Sequence, residues 1–251
     1  MTPNTDNLVQ YVLCYADNAM ILGQRLSEWC GHGPALEQDI AITNIALDLI
    51  GEARMWYQYA AEFEGNGKTE DDYPYKRVDR QWRNVLLVEQ PNGHFGHTIF
   101  RQFMFDCFHY YFSLEMMHSN DQRLSEIAAK SNKEASYHLK YSSEWMLRLG
   151  NGTDESHQKM QEATDDLYIY FNELFEATPF DESLMGIAPD LSKVKERATL
   201  KFNEIMKETS LDIPEVKYPQ TGGRKGIHSE HLGYILTELQ FLQKTYPNAQ
   251  W

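Results

Sequence analysis

The chain has 251 residues, 42% of them hydrophobic and 13% aromatic, and a formal net charge of −14. That size and apolar content allow one large helical domain with a sizeable core, while the acidic balance argues against nucleic acid or an anionic membrane surface as a main partner. The opening MTPNTDNLVQ has neither a basic stretch nor a signal-type apolar run, and no segment approaches the roughly 20 apolar residues of a membrane span, so a cytoplasmic protein is expected. Cys14, Cys30 and Cys107 have no motif spacing and lie in or beside apolar segments, which predicts reduced, packed thiols.

Proline and glycine fall in clusters, and the stretches between them carry helical periodicity. A first helix is predicted from about Asn7 to Trp29, stopped by Cys30-Gly31-His32-Gly33-Pro34. A second runs from about Pro34, a good first-turn residue, to Phe63 and ends at Gly65-Asn66-Gly67. An acidic connector, Lys68 to Tyr75, leads to a short helix over Val78–Val88, closed by Gln90-Pro91-Asn92-Gly93. A long aromatic helix spans about Phe95–His118 and reads as either a central or an interface helix. The next, Leu124–Gly150, puts Leu124, Ala128, Ser131, Ala135, His138, Ser142, Trp145 and Leu149 on one stripe at alternating steps of four and three. Thr153-Asp154 caps a helix to about Ala177, and Thr178–Pro189 reads as irregular. Leu191–Ser210 is helical, Leu211–Lys225 is a loop with two prolines, and a last helix runs from about Ile227 to Tyr246. No alternating strand run, solenoid repeat or long polar linker interrupts this order, so the expectation is one all-α domain over residues 1–251.

Each long helix carries polar groups among apolar neighbours. Asp17-Asn18 lie in VLCYADNAMIL, Asn44 and Asp48 in IAITNIALDLIG, Asp106 and His109 in FMFDCFHYYF, and Glu134 and His138 in the fourth long helix. An unpaired buried carboxylate is costly, so these groups need each other, a cation or a metal. A di-iron bundle asks for Glu on two helices and Glu-x-x-His on the other two. Here Gly51 stands where histidine belongs after Asp48, Ala135 stands where glutamate belongs before His138, and only Asp106-x-x-His109 has the right spacing, with the shorter acid. Lys130 and Lys133, near Glu134, offer a cation in place of a metal charge. A buried polar network without metal is therefore the expectation, with no catalytic, cofactor-binding or metal-ligating residue assigned.

Other chemistry is sparse. His228-Ser229-Glu230-His231 places two histidines three apart at a helix start, read as a cap or interface in the absence of further zinc ligands. Thr221-Gly222-Gly223-Arg224-Lys225-Gly226 has the composition of an anion cradle, but its glycine spacing and the lack of a preceding strand do not match a phosphate-binding loop. A partner-contact loop is an equal reading.

The stretches LGQRLSEWCGHGPALEQDIAITNIALDLIGEAR, LLVEQPNGHF, KEASYHL, LGNGTDESHQKMQ and TGGRKGIHSEHLG, with a terminal tryptophan, resemble the C-subunit family of the bacterial phenylacetyl-coenzyme A epoxidases, multicomponent monooxygenases of aerobic phenylacetate breakdown. The resemblance spans the chain. It implies a ferritin-like bundle with additional C-terminal helices, acting as a structural subunit that pairs with a homologous di-iron catalytic A subunit in a heterodimer or larger assembly. It further implies that NADPH, flavin and iron–sulfur belong to a reductase component and that the coenzyme A thioester binds the catalytic chain, with this chain itself not catalytic. A homodimer of the chain alone stays open. Two other readings stay open beside the scaffold. One is a di-iron oxidase or oxygenase in its own right, using Asp17, Asp48, Asp106, His109, Glu134 and His138. The other is a binding module in which the Thr221–Gly226 loop, through Arg224 and Lys225, contacts coenzyme A phosphates.

Overall fold

The computed structural model describes residues 5–177, 179–247 and 249. In chain order the helices are α1 (Thr5–Ser27), α2 (Leu36–Glu64), α3 (Asp72–Lys76), α4 (Leu86–Glu89), α5 (Phe95–Met116), α6 (Gln122–Gly150), α7 (Asp154–Leu167), α8 (Pro179–Glu182), α9 (Leu191–Thr209), α10 (Glu230–Leu239) and α11 (Phe241–Thr245). With 73% of the chain helical and no strand among the described residues, the class is all-α, in keeping with a ferritin-like bundle. Trp251, which the resemblance includes, lies outside the described residues.

The long helices sit where periodicity places them; three segments differ. The predicted helix over Val78–Val88 is a short 3₁₀ turn at Asp79–Gln81, then extended chain, then the four-residue α4. Side chains of α1 explain this, because Asp17 accepts the Arg83 amide (2.8 Å) and Asn18 the Val85 amide (2.8 Å), so those N–H groups are withdrawn from any helix. The helix predicted to Ala177 stops at Leu167 and tightens into a 3₁₀ run over Tyr168–Phe175. Three residues per turn bring Tyr168 and Phe171 onto one face, where both stack on Phe202 at 5.6 and 4.6 Å between ring centroids. The last helix starts behind the Ser229 cap and breaks at Gln240, whose buried amide donates to the carbonyls of Pro74 (2.8 Å) and Arg77 (2.9 Å).

The chain forms two compact units. The first is drawn from Met1–Pro91, Thr178–Leu184 and Gly222–Trp251, the second from Asn92–Ala177 and Met185–Thr221. In the first unit α1 and α2 pack along each other as a helical hairpin. Gly23 permits their close approach, since a Cβ there would lie 2.9 Å from Ile50 Cγ1 and 3.2 Å from the Ala46 carbonyl oxygen. Tyr11 and Leu22 of α1 and Leu49 and Trp56 of α2 are fully buried.

In the second unit α5 is central and packs on α6, α7 and α9. Phe100, Phe103, Phe105, Phe108 and Phe112 are all buried, each contributing roughly 1.5–3 kcal/mol of apolar burial. The aromatic helix is thus the core of its unit, which decides between the two readings the sequence allows. Of the predicted inward stripe of α6, Leu124, Ala128, Ser131, Ala135, His138 and Ser142 are buried, while Trp145 and Leu149 at its C-terminal end are only half-buried.

Candidate functional site

The inward polar groups form three clusters. The first is organised by Asp17, wholly buried in α1. Its carboxylate receives four donors: the Tyr57 hydroxyl (2.6 Å), the Arg83 amide (2.8 Å), and Nη1 (3.0 Å) and Nη2 of Arg77. Arg77 lies with its guanidinium 4.6 Å from the Trp82 ring and 5.8 and 6.0 Å from those of Tyr57 and Tyr73. Burial works against that guanidinium, but Asp17 and Tyr57 more than offset it and hold its pKa above the usual value. Tyr57, desolvated and beside Asp17, is pushed well up and stays a phenol. The inward acid is paired with an arginine, and no lone pair is left over for a metal.

The second cluster surrounds Glu89, also wholly buried. Oε1 accepts the Ser229 amide at 2.6 Å, and Oε2 accepts from Asn84 Nδ2 and His228 Nδ1, each at 3.1 Å. His228 Nε2 lies 3.1 Å from the Trp82 carbonyl, and Arg25 donates to the Glu89 carbonyl through Nε (3.1 Å) and Nη2 (2.8 Å). His228 is therefore a structural clamp between α4 and the start of α10, in line with the cap reading. Sequence reasoning missed Glu89 and Arg25. The available signal was an acid inside the apolar run Leu86-Leu87-Val88-Glu89, ahead of Gln-Pro.

The third cluster lies in the second unit. Asp106 is fully buried on α5; Oδ1 accepts from Gln102 Nε2 (2.7 Å) and Oδ2 from Ser142 Oγ of α6 (2.7 Å). His109 and His138 are buried beside it. Burial pushes the Asp106 carboxyl up to about 6, against the opposing pull of His138, Ser142, His109 and Gln102. Ala135, one turn before His138, is buried and brings no donor.

The remaining predicted positions fall elsewhere. Asn44 and Gly51 are exposed on α2, and a Cβ at Gly51 would meet open space. Asp48 and Glu134 are only half-buried. Lys130 and Lys133 face solvent, because they sit on the side of α6 away from the inward stripe, so neither supplies the buried counter-charge. Cys14 and Cys107 are packed as expected, with burial pushing Cys14 up to about 12, but Cys30 is exposed in the turn after α1. Among the described residues no three His, Cys, Asp or Glu side chains converge so as to hold a metal ion. Asp17 and Asp106-x-x-His109 thus stand without the Glu on two helices and Glu-x-x-His on two others that a di-iron bundle uses.

The glycine-rich loop also has a packing explanation. A Cβ at Gly223 would fall 2.0 Å from the Asn84 carbonyl oxygen, so only glycine allows the loop to press on the 80–85 segment. Arg224 is buried, 5.5 Å over the Tyr15 ring, with Nη1 3.8 Å from Asp181 Oδ2. The Tyr15 hydroxyl donates to Asp181 Oδ1 at 3.0 Å, which ties α8 into the same knot.

The family model described as phenylacetic acid catabolic protein matches residues 1–251. The chain belongs to that family. The C-subunit of the 1,2-phenylacetyl-CoA epoxidase of Escherichia coli (strain K12) is 46% identical to it over 248 residues, covering 98% of this chain and 100% of that protein. Membership ties the chain to phenylacetate catabolism and bears out the resemblance read from its motifs. Among the described residues no helix is long and apolar enough to cross a membrane.

Proposed function

We propose that the chain is a non-catalytic, cytoplasmic subunit of a phenylacetyl-CoA epoxidase complex and braces a homologous di-iron catalytic subunit. The observation that carries this reading is the occupation of its inward acids. Asp17 is saturated by Arg77, Tyr57 and a backbone amide, and both oxygens of Asp106 are engaged by the neutral donors Gln102 and Ser142. Iron needs those lone pairs. The di-iron centre and the coenzyme A thioester belong on the partner in this reading, and the flavin, iron–sulfur and NADPH chemistry on a reductase component.

A bracing subunit needs a face for its partner, and α2 offers one. Leu36, Ile40 and Leu47 are 73%, 53% and 61% exposed, and exposed Asn44 and Gly51 continue the same line at helical spacing. A run of apolar side chains in water, ending at a glycine that lets a second helix come close, suits helix-on-helix docking.

The test is iron content of the full chain after anaerobic loading with ferrous iron and desalting, together with co-purification with the catalytic partner. Near-zero iron and a stable complex are expected. Stoichiometric iron on this chain would overturn the reading and make it an oxygenase to be assayed in its own right. Ile40→Glu with Leu47→Glu is expected to abolish co-purification while leaving the thermal midpoint of the chain unchanged.

A further inference from the structure

A cleft of about 630 Å³ opens in the first unit beside the Asp79–Gln81 turn, the Gly223–Lys225 turn and the start of α10. Arg80 and Lys225 stand at it. Both are exposed, and neither side chain has a hydrogen-bond or ion-pair partner among the described residues. Backbone packing brings them together. Gly226, at φ +77°, is pressed so closely that a Cβ would lie 2.5 Å from the Arg80 carbonyl oxygen. Two cations without an ion-pair partner thus stand at one cleft of a chain of net charge −14. Asp79 and Glu230 share the rim, but Asp79 Oδ1 is turned to the Arg80 amide at 2.8 Å, and Glu230 occupies the first turn of α10, an ordinary place for an acid.

The floor carries a second, independent signal. Gly233 lines the cleft in the body of α10, exposed, with open space where its Cβ would be. Glycine is a poor choice in a helix, and no packing among the described residues requires it there. What it does is keep the cleft open next to Ile227, itself 65% exposed.

We infer that this cleft binds a phosphate-bearing small molecule, its phosphate between Arg80 and Lys225 and its apolar body against Ile227 over Gly233. A guanidinium fork matches two phosphate oxygens and a lysine adds a point charge. The volume is that of an ordinary small-molecule site. This differs from the anion cradle suggested by the loop's composition, because the loop glycines serve packing, Arg224 is buried, and of the loop's two cations Lys225 alone lines the cleft. The inference stands apart from the subunit reading.

Calorimetric titration of the full chain with inorganic pyrophosphate and with ADP tests it. Saturable binding is expected with both, tighter for ADP, weakened by added salt, and reduced about tenfold or more by Arg80→Ala or Lys225→Ala. Gly233→Leu is expected to fill the cleft and abolish ADP binding while its thermal midpoint stays equal or rises. Absence of saturable binding by either probe would overturn the inference, as would ADP binding that survives Gly233→Leu and Lys225→Ala in folded variants.

Discussion

Asp106→Asn replaces a buried carboxyl by a neutral group of the same shape. Burial raises the Asp106 pKa from the ordinary 3.8 to about 6, so between those values the folded chain holds a proton that the unfolded chain has released. Stability therefore falls as pH climbs through this window, and above it the ionised carboxylate costs the fold roughly 3 kcal/mol, from about two pKa units at about 1.4 kcal/mol each. Asparagine can keep both partners. Its carbonyl accepts from Gln102, and Ser142 can turn its own proton toward the Leu139 carbonyl, 3.4 Å away, and accept from the new amide. Urea unfolding of both proteins from about pH 4 to pH 8 should show equal stability at the acid end and an advantage for the variant approaching roughly 3 kcal/mol at the alkaline end. A variant no more stable at pH 8, or a difference that does not change with pH, would refute the reasoning. It would mean that His109 and His138 return more to the carboxylate than burial takes away.

Arg77→Ala leaves Asp17 buried without its cation and is expected to cost about 3–5 kcal/mol in the same unfolding assay. Phe202→Ala removes the ring on which Phe103 (5.6 Å) and Phe171 (4.6 Å) stack and should cost about 3–5 kcal/mol. With a colorimetric thiol reagent the native chain should titrate rapidly at Cys30 alone, since Cys14 and Cys107 are buried with pKa values pushed upward; all three should react in denaturant.

The parts of this fold legible in the sequence are those in which one helix carries the whole signal. The inward stripe of α6 is written in its own alternation, and the Thr153 cap is a local motif. Asp17 is recognisable as an inward acid for the same reason, but its partner Arg77 lies 60 residues away in a connector with no period, so nothing local announces the pair. The extended 82–85 stretch is illegible because α1 side chains, not its own residues, take its amides. On α2 the pattern misleads in a different way. Ile40 and Leu47 are as apolar as Ile45 and Leu49, yet the first two are exposed and the last two buried. Periodicity finds apolar faces but does not say which one the chain keeps for itself. Asn44, Asp48 and Gly51 read as inward positions on that account.

The Glu89 clamp sets a schedule for synthesis. Glu89 is among the first 91 residues, while His228, which secures it, follows 139 positions later in a segment that completes the same unit. At about 5–20 residues per second, a nascent chain carries the α1–α2 hairpin for roughly 7–30 s before that partner is made. During that interval the second unit, contained within residues 92–221, is synthesised in full, while Glu89 has the Asn84 amide but neither His228 nor the Ser229 amide. Ribosome-bound chains ending before His228 are thus the vulnerable species, and loss of the segment that carries His228 acts on a charge laid down 139 positions earlier.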